Sequence, residues 1–147
     1  VIGKACGAAV QNLGMDVVYL RRTPSQAGEV SWGEVLLNEF DHVLNLIPGD
    51  PENQNLLGEA FFNALKEGCY FYNFGRGNTV QEQALLAHLD SGKIAGAGLD
   101  VTQMEPLPKS SKIWTHPNII LSPHSSCIYK DYTRLYVEEL MARKHLF

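Results

Sequence analysis

The chain has few cysteines, no excess of basic charge and no long apolar run. Its three cysteines, Cys6, Cys69 and Cys127, are odd in number, widely spaced and never in a Cys-x-x-Cys pair. That spacing excludes a disulfide framework and a structural zinc site, and it sets the expectation of no metal and a reduced, cytoplasmic setting. No apolar stretch nears the roughly 18 to 20 residues a bilayer-spanning helix needs, and nothing at the start reads as a secretion signal. A soluble protein with no membrane partner is expected. With 12 Lys and Arg against 16 Asp and Glu, the net charge is -4, and no basic cluster is longer than Arg21-Arg22. A nucleic-acid footprint is therefore not expected. Internal repeats and low-complexity tracts are also missing.

What remains is a chain of 147 residues, 45% hydrophobic, long enough for one packed domain and too short for two. Residues 4–13 read as a close-packed helix, with small and apolar residues at Ala5, Ala8, Ala9 and Leu13 and Gly14 as its stop. Residues 16–20 then read as a strand, 32–38 as a short helix and 41–47 as a strand that ends at Pro48. Asp50 is placed to cap a turn that starts at Pro51. Residues 59–67 read as a helix closed by Gly68, and 69–74 as a buried strand. Residues 82–90 form a helix whose stripe is Leu85, Leu86 and Leu89, with Ser91-Gly92 after it. Residues 94–101 and 119–121 are the last strands. Tyr132, Leu135, Tyr136 and Leu140 then recur at helical spacing within 128–147. Strands alternating with helices predict an α/β fold, a parallel sheet covered by helices on both faces.

Three motifs carry polar chemistry: Asn73-Phe74-Gly75-Arg76-Gly77, then Gly98-Leu99-Asp100-Val101 running on to Glu105-Pro106-Leu107-Pro108, and last Ser122-Pro123-His124. Each has a plainer reading when taken alone. A bare Gly-Arg-Gly is more often a surface turn, and one histidine among five is more often structural. His42, His88, His116 and His145 are read as surface or helix-end residues, with His88 on a solvent-exposed helix. In this order and at these separations, however, the motifs resemble the D-isomer-specific 2-hydroxyacid dehydrogenase family. The segment from Gly77 to Glu82 is similar to that family's Arg-Gly-x-x-Val-Asp-Glu, with Gln81 in place of the acid. Arg21-Arg22-Thr23 resembles the glyoxylate/hydroxypyruvate reductase branch.

The resemblance implies a Rossmann-like, doubly wound parallel sheet. Aligned from Gly14-Met15, Gly3 takes the third glycine of the dinucleotide fingerprint, with Val1 and Ile2 just before it, so the first strand and the substrate domain are expected upstream. Residues 1–125 are then the nucleotide-binding domain, and 126–147 a helix returning toward the substrate domain. Arg76, Glu105 and His124 are the expected catalytic residues. A carboxylate held against an imidazole favours the charged ring, which makes the histidine a proton donor. Asp100 is expected beside the nicotinamide carboxamide, with Pro48, Phe74, Gly75 and Ser126 also along the cofactor. At the end of the second strand, where NAD-preferring members place an acid, stand Arg21, Arg22 and Thr23. Two cations and a hydroxyl suit a 2'-phosphate, so NADP(H) is expected and NAD(H) is the alternative; the plainer, lesser reading is an arginine pair that solvates a loop. The implied substrate is a small 2-oxoacid, and the implied assembly a homodimer. The rival readings are a dinucleotide-sensing regulator and an inert fragment.

Overall fold

The computed structural model describes residues 2–32, 34–126 and 130–142, without the side chains of Tyr136, Glu139, Leu140 and Ala142. The chain opens with helix α1 (Ile2–Gln11) and two short strands, β1 (Tyr19–Leu20) and β2 (Glu29–Val30), which pair in parallel. Strand β3 (His42–Asn45), helix α2 (Glu59–Ala64), strand β4 (Cys69–Asn73), helix α3 (Glu82–Asp90), strand β5 (Ile94–Leu99) and strand β6 (Ile119–Leu121) follow. Helix α4 (Tyr132–Ala142) comes last. The four strands β3-β4-β5-β6 form one all-parallel sheet in that order, each neighbour reached through a crossover.

Alternation along β4 decides which face is covered. Cys69, Phe71 and Asn73 are buried, while Tyr70 faces out, as a period of two requires. On the buried side Phe62 stands edge-on to Phe71, with ring centroids 5.2 Å apart at 81°. Leu57, Leu65, Leu85, Leu89, Ile94 and Leu99 complete the core. This α2–α3 layer joins chain segments far apart in sequence, and burial of apolar side chains holds it. On the opposite face Leu44, Tyr70 and Ile120 are exposed. A methyl group on Gly3 of α1 would stand 3.6 Å from Leu46 Cδ1, which places the start of α1 beside the end of β3.

Several local expectations are corrected. The expected helix at 32–38 is not formed: residues 32 and 34–36 are not helical, a 3-10 turn spans Leu37–Glu39, and Trp32 stands edge-on to Phe61. Asp50 precedes the Pro51–Asn53 turn, but its side chain makes no capping bond, and its carbonyl accepts the Asn53 amide instead. The pairing of β1 with Glu29–Val30 was not anticipated, since two residues carry no readable period. His88 is buried rather than exposed: Nδ1 lies 2.7 Å from the Ala84 carbonyl and Nε2 3.1 Å from Asn63 Oδ1, so it links α3 to α2. The side chain of His116 is likewise mostly enclosed, 3.3 Å from Asp90. In the stripe of α3, Leu85 and Leu89 are buried and Leu86 is only partly so. In the last helix Tyr132 and Leu135 are exposed.

Phe62→Ala should be severe, because Phe62 is wholly buried between α2, α3 and β4. A loss of about 3 to 5 kcal/mol is expected, read as a lower urea midpoint at unchanged m-value.

Candidate active site

In a parallel sheet every strand delivers its following loop to the same edge. The register pairs Asn73 with Leu99 and Leu99 with Leu121, so the carboxyl ends of β4, β5 and β6 lie side by side. Arg76 follows β4, Asp100 and Glu105 follow β5, and His124 follows β6. An open cleft of about 210 Å³ at that edge is lined by Arg76, Asn78, Thr102, Gln103, Glu105 and His124. The three expected catalytic residues thus come together.

Within the cleft His124 Nδ1 lies 2.7 Å from Glu105 Oε2, and Glu105 Oε1 accepts the Thr102 amide at 3.1 Å. Partial burial works against the charge of Glu105. The bond from His124, the Thr102 amide and the positive charges of His124 and Arg76 outweigh it and hold the carboxyl below its usual range. The Glu105 loop is tied further by Gln103, whose amide donates to Glu82 in the first turn of α3 and whose side chain donates to Asn55 Oδ1 at 2.8 Å.

Two glycines explain how Arg76 is placed. A Cβ on Gly75 would stand 2.6 Å from the Ile47 carbonyl oxygen, and one on Gly77 only 1.9 Å from that of Thr102. The backbone beside Arg76 is therefore wedged between the loops that follow β3 and β5, and no larger residue fits on either side. Under it lies a buried amide network. Asn45 Nδ2 donates to Asn73 Oδ1 at 2.9 Å and to Thr79 Oγ1 at 2.8 Å, Asn73 Oδ1 accepts the Gly75 amide, and Thr79 Oγ1 donates to the Arg76 carbonyl at 2.7 Å. Asn45 and Thr79 were not among the expected site residues. An asparagine inside an otherwise apolar strand is the signal that could have marked the first; a threonine in a loop gives none.

Asp100 is 2% exposed. Oδ1 accepts from Ser122 Oγ at 2.6 Å and from the Ser125 amide at 2.9 Å, and Oδ2 accepts the Ser126 amide at 3.0 Å. Burial raises its pKa, but these bonds outweigh that effect and bring the carboxyl down to about 2.

The other expected cofactor residues lie on the same edge or near it. Arg21 and Arg22 follow β1. Arg21 Nε donates to Glu29 at 3.3 Å, and Arg22 donates one nitrogen to Glu52 and the other to Asn53 Oδ1. Glu29 is buried and also faces Lys4 at 3.2 Å. The Ser25 amide is the main cause of its lowered pKa, about 2, with burial opposing and Lys4, Arg21 and the Ser25 hydroxyl adding to it. Thr23, Pro48 and Ser126 are exposed, as are Phe74 and Ile2, while Gly75 is buried. Val1 lies outside the described residues. Among the described residues no cluster of His, Cys, Asp or Glu could hold a metal ion, and no helix is long and apolar enough to cross a membrane.

The residues present fit a phosphorylated dinucleotide. The first turn of α1 carries no acid, which suits phosphate at a helix N-terminus. The Arg22–Glu52 pair is solvent-exposed, with both side chains about 60% open. Such pairs contribute roughly 0 to 1 kcal/mol, so Arg22 can leave Glu52 for a phosphate at small cost.

Two parallel sheets thus end in polar loops, a pair of arginines after β1 in the smaller one and an acid–histidine pair after β5 and β6 in the larger. Residues 1–126 match the family model for the D-isomer specific 2-hydroxyacid dehydrogenase, NAD binding domain. The chain belongs to the D-isomer-specific 2-hydroxyacid dehydrogenase family. Similar solved structures include a family member from Xanthobacter autotrophicus Py2 in complex with NADPH and MES, at 32% identity and TM-score 0.81 over 98% of this chain and 62% of that one. An NADPH-dependent glyoxylate/hydroxypyruvate reductase from Sinorhizobium meliloti, in complex with NADP and sulfate, is 28% identical with TM-score 0.81, over 97% of this chain and 49% of that one. A phosphoglycerate dehydrogenase from Lactobacillus plantarum is 28% identical with TM-score 0.83, over 96% of this chain and 47% of that one. The chain thus spans about half to three-fifths of the length of these proteins.

The low pKa of Asp100 has a consequence for stability. Its carboxyl is depressed from 3.8 to about 2, so its contribution is complete above pH 3.8 and is lost as pH falls through about 2. The loss is on the order of 1 kcal/mol by pH 3 and 2 kcal/mol in all. Urea midpoints followed from pH 6 to pH 3 should fall less steeply in Asp100→Asn than in the parent chain.

Proposed function

We propose that the protein containing this chain reduces a small 2-oxoacid of the glyoxylate or hydroxypyruvate type with NADPH. The 2.7 Å pairing of His124 Nδ1 with Glu105 Oε2, in a cleft that Arg76 also lines, carries this reading. With Nδ1 facing Glu105, the ring's Nε2 is the nitrogen left to donate a proton. Arg76 is the cation for the substrate: its fork pairs with the carboxylate or polarises the carbonyl. Glu105 keeps the ring oriented while it donates. A bound nicotinamide supplies the hydride. The protein's part is then to orient the acid, hold the proton at Nε2 and place positive charge where the oxygen becomes negative.

The preference for NADPH rests on Arg21, Arg22 and Thr23 at the carboxyl end of β1, where a carboxylate would serve the 2'-hydroxyl of NAD. The Sinorhizobium and Xanthobacter neighbours hold NADP and NADPH, in keeping with that reading. The phosphoglycerate dehydrogenase is structurally as similar as the reductase, so overall likeness does not separate the substrates.

In the complete protein, His124→Ala should lower turnover with glyoxylate on the order of 10²-fold or more. Arg76→Lys should also be severe, since an ammonium cannot make the two-nitrogen pairing. Glu105→Gln, which keeps the shape but removes the charge facing the ring, should also lower turnover. NADPH oxidation followed from pH 5 to 9 checks all three, and near-normal rates in each would remove these residues from the mechanism.

Replacing Arg21 by Asp together with Arg22 by Ala should shift preference toward NADH. A 2'-phosphate would lose two cations and face a new carboxylate, a change on the order of a few kcal/mol. An unmoved ratio of kcat/KM for NADPH over NADH would show that the two arginines serve only their ion pairs with Glu29 and Glu52.

A further inference from the structure

We infer that Asp100 is a positioning residue for His124: its carboxylate clamps the chain on both sides of the histidine and so fixes the ring against Glu105. The inference rests on the reductase reading given above. It differs from the cofactor contact that the family resemblance implies, because it assigns the carboxylate an effect on the proton donor.

Backbone geometry is the first support. His124 has φ of +51°, the left-handed region that a residue with a Cβ adopts at a cost. Such a conformation persists only where its surroundings over-determine it. Both sides of His124 are held by the same group, since Ser122 Oγ donates to Asp100 Oδ1 from before it and the Ser125 and Ser126 amides donate to Oδ1 and Oδ2 from after it. Three donors converge on one buried anion across one turn of chain.

Charge is the second support. Hydrogen bonds to an ionised acceptor are about twice as strong as neutral ones, and Asp100 is enclosed where water cannot replace them. The anchor is itself rigid: the Asp100 amide donates to the Asn73 carbonyl at 3.0 Å, and the Ser122 amide to the Leu99 carbonyl at 2.9 Å, so clamp and clamped loop both hang from sheet ends. By contrast, among the described residues the His124 ring bonds only Glu105, and both side chains are about two-fifths exposed. Glu105 holds the ring's rotation, and the backbone that presents the ring to Glu105 is set by Asp100.

The test uses the complete protein. Asp100→Asn keeps the shape but leaves an amide nitrogen facing one or more N–H or O–H donors. It should lower kcat with glyoxylate at least tenfold with little change in KM for NADPH. In a His124→Ala background the same substitution should cost no more than about twofold, because a residue that acts through His124 has nothing left to position. Ser122→Ala, which removes one donor and leaves the carboxylate, should lower kcat in the same direction, and Ser122→Thr, which keeps a hydroxyl, should restore it. A readout independent of turnover is the ¹³C carboxyl titration of Glu105. Part of its depression comes from the bond with His124, so in Asp100→Asn it should move up toward the ordinary carboxylate range. An unmoved Glu105 titration overturns the inference. So does an equal loss of kcat from Asp100→Asn with and without His124, or a loss confined to KM for NADPH. If His124→Ala alone reduces glyoxylate normally, the reductase reading falls, while the Glu105 titration still decides whether Asp100 positions the ring.

Discussion

The shared direction and register of β4, β5 and β6 is the constraint on which the site depends. Neighbouring strands in a sheet lie about 4.8 Å apart, so the loops leaving Asn73, Leu99 and Leu121 begin within roughly 10 Å of one another. Arg76, Glu105 and His124 come from chain positions nearly fifty residues apart, and the register turns that separation into adjacency. Reversing any one of the three strands would carry its residue to the far edge. The α2–α3 layer packed on Phe71 and Leu99 is what keeps the strands in that register.

Two different kinds of polar anchor sit beneath the cleft. Arg76 rests on a neutral network, Asn45, Asn73 and Thr79, in which amides and a hydroxyl satisfy one another. His124 hangs on a single buried carboxylate. Among the described residues no buried side-chain polar atom lacks a partner, so both anchors are complete and add rigidity at no cost in unmet hydrogen bonds. Neutral groups suffice beneath Arg76, whose flanking glycines are already held between two backbones. A charged anchor serves His124, where a left-handed backbone must be held in place.

The edge that follows β1 is organised less tightly. Arg21 and Lys4 share the buried Glu29, while Arg22 is held at the surface by Glu52 and Asn53. A buried acid with two cations keeps one of them oriented and leaves net positive charge, and an exposed pair is easily exchanged. Both properties suit a site whose anionic ligand comes and goes.

Much of this was legible from residue order. The helix at 82–90, the strand at 119–121 and the α/β class follow from periodicity and turn residues, because an amphipathic stripe and a Gly stop act locally. The three polar motifs named residues that the fold brings to one cleft, since glycines flanking an arginine and a proline before a histidine are backbone requirements written into the chain. Other features were decided by the tertiary structure. Residues 32 and 34–36 form no helix, and Trp32 packs on Phe61 of α2, a contact no local pattern announces. His88 is enclosed because α2 lies against α3 and brings Asn63 to its ring. The bonds from Asp100 to Ser122, Ser125 and Ser126 join residues more than twenty positions apart, and only the pairing of β5 with β6 makes them neighbours. Sequence by itself determined which polar side chains are offered to the cleft, because their types and local backbone needs are written in short motifs; the fold decided what each of them touches, because those distances arise from the packing of one strand against another.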